Sequence, residues 1–224
     1  FLDNLLSQNV EGLEGARYGA LLSPQGKVIA DMLLWADDDA IVIETDPKFS
    51  EALLRRLSMY KLRANVTLED ASDLRVAYSP EPFAGAVADP RMPNGNLGWR
   101  KLVKGAEAAA LSAHDGTYWS RRFVQGVPDL AVDMQPEDIF AGEALLEELH
   151  GVDFQKGCYV GQEVVSRVEH RGSARSRIVP VTYEFAPSSG LPVMAGEKEV
   201  GTLMSTAKGH GLAFVRLDRV ADAL

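Results

Sequence analysis

The chain has 224 residues, 46% of them apolar and 25% charged, with a formal net charge of −9. This composition is ordinary for a globular protein of one to three domains. The negative charge argues against a broad nucleic-acid-binding face, so no direct nucleic-acid partner is expected. No apolar run approaches about 18 residues, so no membrane-spanning helix is expected. The single cysteine excludes an internal disulfide framework and fits a reducing compartment.

Two strands joined by a hairpin are predicted near the N-terminus. Residues 18–23 and 28–35 are apolar runs, and segment 23–27 between them contains Pro and Gly, which are typical turn residues. Asp31 interrupts the second run. It is either a solvent-facing strand residue or a carboxylate kept in an apolar strand for a function, because burying a carboxylate costs free energy.

A strand over 40–45 and a helix from Asp46 to about Tyr60 follow, with Asp46 as the N-cap and Pro47 in the first turn. Short strands are then predicted up to about residue 103. The order strand, helix, strands predicts a small α+β lobe over 43–111, inserted into the first domain.

Further along the chain, a helix carrying Arg122 ends at Gly126, and a short helix over 143–150 ends at Gly151, a typical C-terminal glycine. After residue 172 the composition changes to strand-like segments separated by Pro, Ser and Gly turns. Residues 196–198 favour a hairpin there. A small C-terminal β-barrel is therefore predicted over 173–224.

The only cysteine lies in the segment Lys156-Gly157-Cys158-Tyr159-Val160-Gly161-Gln162-Glu163. Valines at 160, 164 and 168 recur every four residues, which predicts a helix that begins in this segment. Cys158 then lies at or just before a helix N-terminus beside Lys156, and both features favour a thiolate. The alternative is a small buried hydrophobic cysteine. The flanking glycines and charged residues favour the reactive thiol.

This segment, followed by Val-Val-Ser-Arg and by His170-Arg171-Gly172, resembles the signature of the YgfZ family. These are folate-binding-type proteins related to the aminomethyltransferase (T-protein) of the glycine cleavage system. Asp89-Pro90-Arg91 and Leu97-Gly98-Trp99-Arg100 are similar to further family motifs. The resemblance implies a T-protein-like α+β fold: a core lobe of residues 1–42 and 112–172, an inserted ferredoxin-like lobe over 43–111, and the barrel over 173–224.

The resemblance also implies site residues. Cys158 and Lys156 are expected to carry the chemistry, and Cys158 to be a metal ligand in an iron–sulfur cluster shared with a partner. The expected contacts to tetrahydrofolate are Asp31, Arg122, Tyr159, Gln162, Glu163 and Arg167, with Asp31, Arg122 and the signature lining one central cavity. The T-protein pattern has a glutamate two residues after the arginine, where this chain has Val124. Because valine cannot hydrogen-bond a pterin ring, weaker folate binding is expected.

Two functions follow from the resemblance. The first is an accessory factor that supports assembly or repair of iron–sulfur proteins, including tRNA-modifying enzymes, with scaffold or client proteins as partners and no T-protein-type aminomethyl transfer. The alternative is a tetrahydrofolate-dependent one-carbon transferase. The cysteine block favours the first, because the T-protein pattern lacks it. The expected compartment is the bacterial cytoplasm, or the mitochondrial matrix in a eukaryote. Whether Cys158 is a nucleophile or a ligand stays open.

Overall fold

The structure of the protein, a computed structural model, describes residues 1–112, 116–171, 175–185 and 187–221. Within these ranges the strands form three antiparallel sheets. The strands are β1 (Ala16–Leu22), β2 (Val28–Asp37), β3 (Ala40–Glu44), β4 (Arg75–Ser79), β5 (Val87–Ala88), β6 (Trp99–Val103), β7 (Ser176–Thr182), β8 (Pro192–Ala195), β9 (Lys198–Ala207) and β10 (His210–Arg216). The α-helices are α1 (Pro47–Lys61), α2 (Gly105–Ala109), α3 (Thr117–Gln125), α4 (Leu130–Asp133), α5 (Gln162–Arg171) and α6 (Leu217–Ala221), and a 3₁₀ turn spans Leu2–Asn4.

The first sheet has the order β1-β2-β3 and carries Asp31 on its central strand. From Val28 to Trp35 every residue of β2 is buried except Asp31, because both faces of this strand are covered and apolar residues can follow one another without alternation. The predicted hairpin is confirmed: the Ser23 amide donates to the Lys27 carbonyl at 2.8 Å, and Gly26 adopts a φ of 77°.

Helix α1 begins as predicted. The Asp46 side chain accepts a hydrogen bond from the Lys48 amide at 2.8 Å, and Pro47 occupies the first turn. Three buried side chains on one face, Phe49, Leu53 and Leu57, join the main apolar core. This helix therefore packs on the core that also contains β1 and β2, although the sequence assigns it to the inserted lobe.

The second sheet has the order β4-β6-β5, and the turn-rich segment 89–98 joins β5 to β6. Gly98 has a φ of 103°, and a Cβ there would lie 2.5 Å from the Tyr78 ring, so only glycine allows this close approach. The segment directs Arg91 toward the Tyr18 ring of β1, with 5.6 Å from Cζ to the ring centroid. The segment between β5 and β6 thus places the Arg91 charge beside the first sheet.

The C-terminal sheet has the order β7-β10-β9-β8. Its predicted hairpin is confirmed, since Ala195 pairs with Lys198 across a two-residue turn. Buried Ile178, Met204 and Leu212 belong to the same apolar core as the N-terminal sheet. The core is thus continuous across all three expected units, and their division at residues 42, 111 and 172 stays a prediction. The first of these boundaries falls inside β3.

The predicted helix over 143–150 is wrong: the segment is a series of turns. Leu145 and His150 have φ values of 61° and 59°, in the left-handed region that interrupts an α-helix. Apolar side chains explain this path. Ala144, Leu145, Leu146 and Leu149 are all buried, and a single helix face could not bury all four.

No helix in the described ranges is long and apolar enough to cross a bilayer.

Candidate functional site

The cysteine segment forms a surface loop that leads into α5. Helix α5 begins at Gln162, so Cys158 lies four residues before the helix, on the side where the sequence places it. The thiol is exposed, and a Cβ built on the neighbouring Gly157 meets nothing within 4 Å. The interpretation of Cys158 as a small buried hydrophobic residue is therefore wrong.

Lys156, two residues before the thiol, is directed into the protein. Its side chain is 1% exposed, and Nζ lies 3.1 Å from the Asp3 Oδ1 atom. Nζ also donates to the carbonyls of Leu6 at 2.9 Å and Gln8 at 2.8 Å. Burial lowers the pKa of Lys156, and Asp3 partly offsets that effect. The ammonium therefore fixes the loop to the N-terminal segment instead of lying free beside the sulfur.

Gly161, three residues after the thiol, anchors the other side of the loop. It has a φ of 85°, and a Cβ there would lie 2.6 Å from the Ser23 carbonyl oxygen. Gly26 of the β1–β2 turn lies equally close to the signature helix, because a Cβ added there would lie 2.8 Å from Cβ of Val164. The glycines of the signature and of the hairpin therefore permit direct backbone contact between the two motifs.

The remaining signature residues divide between core and surface. Tyr159 is buried in the apolar core, and its amide donates to the Gln162 Oε1 atom at 3.3 Å, which shapes the turn before α5. Glu163 and Arg167 are exposed on the helix. Cys158, Glu163 and Arg167 thus face solvent. Of the adjoining motif, Gly172 lies outside the described residues, as do the side chains of His170 and Arg171.

A cavity of about 280 Å³ lies between the first sheet and the segment after β5. Its polar lining comprises Tyr18, Asp31, Glu44, Thr45, Asp46, Arg91, Arg100, Tyr118 and Asp129. The Tyr18 hydroxyl lies 3.1 Å from Asp31 Oδ2. Burial raises the pKa of Asp31 to about 6, against an opposing effect of Arg91. Burial, with the nearby Asp31 charge, also raises the pKa of Tyr18. Burial also raises the pKa of Asp129. Asp31 is therefore a carboxyl group in this cavity that can exchange a proton near neutral pH.

A buried ionic network holds the wall of the cavity. Asp89 accepts from Arg91 Nε at 2.9 Å and Nη2 at 2.7 Å, and Arg100 Nε lies 2.7 Å from the same carboxylate. Arg100 also pairs with Glu44 of β3. Burial by itself would raise the pKa of Asp89, but the two guanidinium groups lower it to about 2. Sequence reasoning missed Arg91 and Arg100 as site residues, although both stand in the Asp-Pro-Arg and Leu-Gly-Trp-Arg motifs.

Arg122 does not line this cavity, and neither does the signature loop. The Arg122 side chain is fully buried and pairs with Asp133 at 2.9 Å. It also donates to the Val127 carbonyl at 3.2 Å and to Ser205 Oγ of β9 at 2.7 Å. This cavity therefore does not bring Asp31 together with Arg122 and the signature. The buried Arg122 guanidinium group instead connects α3, α4 and the C-terminal sheet through its ion pair and hydrogen bonds.

Comparison with known proteins supports this architecture. Residues 175–224 match the family model described as the CAF17 C-terminal beta-barrel domain. The glycine cleavage system aminomethyltransferase T of Bartonella henselae has a similar structure, with a TM-score of 0.60 and 13% identity over 97% of this chain and 73% of that one. The predicted T-protein-like fold with a C-terminal barrel is therefore confirmed. At this identity the likeness concerns the fold alone.

Three curated relatives carry the name iron–sulfur cluster assembly factor IBA57, mitochondrial, or its homolog. The human protein is 30% identical over 93% of this chain and 67% of its own length. Those of Mycosarcoma maydis and Pyricularia oryzae are each 33% identical, over 99% and 98% of this chain and 61% and 66% of their own lengths. The chain thus spans about two thirds of these relatives. By sequence, the chain belongs to the family of the IBA57 iron–sulfur cluster assembly factors.

Proposed function

We propose that this chain supports iron–sulfur cluster assembly through Cys158. The observation that carries the proposal is the placement of the only cysteine: it is exposed on a loop anchored by Lys156 on one side and Gly161 on the other. Such a loop can present a sulfur ligand to a partner without unfolding. The assignment to the YgfZ branch rests on the signature residues and is part of this proposal.

A cluster bound at Cys158 must be shared. A [2Fe–2S] cluster takes about four protein ligands, and the chain has one cysteine. Among the described residues, no group of three or more His, Cys, Asp or Glu side chains could hold a metal ion. The other ligands therefore come from a scaffold or client protein, including clients that modify tRNA, and the cluster is cargo. Exposed Glu163 and Arg167 supply charges to that contact.

The cavity around Asp31 is the proposed folate site. Its volume of about 280 Å³ is close to the lower end of known ligand pockets, which suits the pterin ring rather than a whole folate. The carboxylates of Asp31 and Asp129 can accept hydrogen bonds from the amino and ring N–H groups of a pterin. Val124 is half exposed and supplies no contact to this cavity. We propose weak binding of tetrahydrofolate, because the cavity accommodates the ring alone.

The experiment on the cysteine uses Cys158→Ser in cells that lack their own copy of the factor. We expect loss of iron–sulfur enzyme activity with an unchanged melting temperature, because the exposed thiol makes the substitution nearly neutral for the fold, within about 0.5 kcal/mol. Ser188→Ala, which trims an exposed side chain of the C-terminal unit, is the matched control. Full activity of the serine variant would refute the proposed role of Cys158.

Calorimetric titration with tetrahydrofolate tests the cavity separately. Asp31→Asn removes the charged acceptor, and we expect roughly tenfold weaker binding than to the unmodified chain. Equal affinities would show that Asp31 does not contact the ligand. Transfer of a one-carbon unit to tetrahydrofolate by the purified chain, undiminished in Cys158→Ser, would instead support the transferase alternative.

The cellular compartment is also proposed from the relatives. The relatives are named as mitochondrial proteins, and we place the chain in the mitochondrial matrix if its source is eukaryotic and in the cytoplasm if it is bacterial.

A further inference from the structure

The N-terminal segment 3–8 is bound along the loop that carries the cysteine. Lys156 Nζ contacts three oxygen atoms of this segment: Asp3 Oδ1 at 3.1 Å, the Leu6 carbonyl at 2.9 Å and the Gln8 carbonyl at 2.8 Å. An ammonium group has three N–H donors. All three can therefore be satisfied by this one segment, more than 140 residues away in sequence.

A second set of hydrogen bonds joins the same two segments. Ser7 is fully buried; its hydroxyl donates to the Gly151 carbonyl at 2.6 Å and accepts from the Ala20 amide of β1 at 2.9 Å. The Asp153 amide donates to the Ser7 carbonyl at 3.0 Å. The Gln8 side chain donates to the His150 carbonyl at 2.8 Å. The beginning of the loop is thus attached to the first sheet through the N-terminal segment.

The Lys156–Asp3 ion pair stands two residues before the thiol in the chain. Asp153 Oδ1 accepts from the amides of Gln155 and Lys156 at 2.8 and 3.2 Å, which orders the turn that leads to Lys156. Beyond Cys158, the next close backbone contact is that of Gly161 with Ser23. Between these two points, Gly157 and Cys158 are exposed. The position of the sulfur therefore depends on the Lys156 anchor on one side, and on buried Tyr159 and the Gly161 contact on the other.

We propose that Asp3 is a positioning residue for the Cys158 thiol, acting through the buried Lys156 ammonium. The inference rests on the proposed function, because it concerns how the same thiol is presented to a partner. Asp3 orients and neutralises the ammonium, the ammonium holds the loop, and the loop presents the sulfur in one place. A ligand held in one geometry loses less conformational entropy when a shared cluster forms.

Other groups also face the ammonium. They are the carboxylate of Asp153 and the Tyr159 ring, whose centroid lies 5.4 Å from Nζ. The ammonium is thus held among groups from the N-terminal segment and from its own loop.

The test uses a nitroxide spin label on Cys158, which is the only attachment site because the chain has no other cysteine. In Asp3→Ala we expect the ratio of mobile to ordered spectral components to rise about tenfold, the factor that follows from losing one charged hydrogen bond. Asp3→Asn keeps an acceptor oxygen and should give a smaller rise, and Asp3→Glu should restore the ordered spectrum. Glu51→Gln, which removes an exposed partner of Arg55, is the control.

Lys156→Met keeps the buried stem without the charge and should reproduce the mobile spectrum if Asp3→Ala is poorly folded by circular dichroism. An Asp3→Ala or Lys156→Met spectrum identical to that of the unmodified chain would overturn the inference. The outcome is independent of cluster assembly: an inactive Asp3→Ala with an active Cys158→Ser would refute the proposed function and leave the positioning result intact.

Discussion

Gly161→Ala should destabilise the protein although it adds only one methyl group. The residue has a φ of 85°, and the new Cβ would lie 2.6 Å from the Ser23 carbonyl oxygen and 3.0 Å from Leu22 Cβ. An L-residue in the left-handed region costs about 1–2 kcal/mol, and overpacking costs about 1–3 kcal/mol. Both effects act here, so we expect a loss of about 2–5 kcal/mol in the free energy of unfolding.

Urea unfolding followed by tryptophan fluorescence measures this loss. Gly157→Ala is the matched control in the same motif, because its Cβ meets nothing within 4 Å and its φ is not in the left-handed region. We expect the control to change stability by no more than about 0.5 kcal/mol. Equal effects of the two substitutions would refute the argument that Gly161, and not Gly157, is required for packing against the hairpin.

Two further predictions concern buried charges. Arg122→Met leaves the Asp133 carboxylate without its cation in a site where both side chains are 0% exposed, and should cost about 3–5 kcal/mol. Asp133→Asn in the same chain should recover part of this loss in urea unfolding; no recovery would contradict the pairing argument. Because the folded-state pKa of Asp31 is raised from 3.8 to about 6, its contribution to stability is present below the lower value and is lost as the pH rises through the upper one. Asp31→Asn should therefore gain about 1–3 kcal/mol relative to the unmodified chain between about pH 4 and pH 7, after allowance for solvent in the cavity. A stability difference that does not vary with pH would contradict the raised pKa.

Several features of the structure were predictable because short-range chemistry determines them. The turn at 23–27, the N-cap at Asp46 and the hairpin at 196–198 depend on residues within a few positions of one another. The signature around Cys158 could be found in the same way, since its glycines and charged residues are adjacent in sequence. A resemblance across the whole chain then predicted the fold that the structural comparison shows.

Prediction failed where distant residues decide the outcome. The segment 143–150 has the composition of a helix, but four buried apolar side chains require a path that one helix face cannot provide. Arg122 looked like a ligand contact, and only the packing of α3 against β9 assigned it to Asp133 and Ser205. The sequence gives no sign that Arg91 and Arg100 lie beside the cavity, because ion pairs with Asp89 and Glu44 position them there.

The sequence by itself determined the local turns, the motif around the single cysteine, and the family to which the chain belongs. Only the tertiary structure decided that Lys156 points inward to Asp3 and that Gly161 rests on Ser23. The physical reason is that a lysine beside a cysteine has the same local propensities whether its ammonium faces the sulfur or the interior. Which orientation is stable depends on oxygen atoms supplied by a segment that lies about 150 residues earlier in the chain.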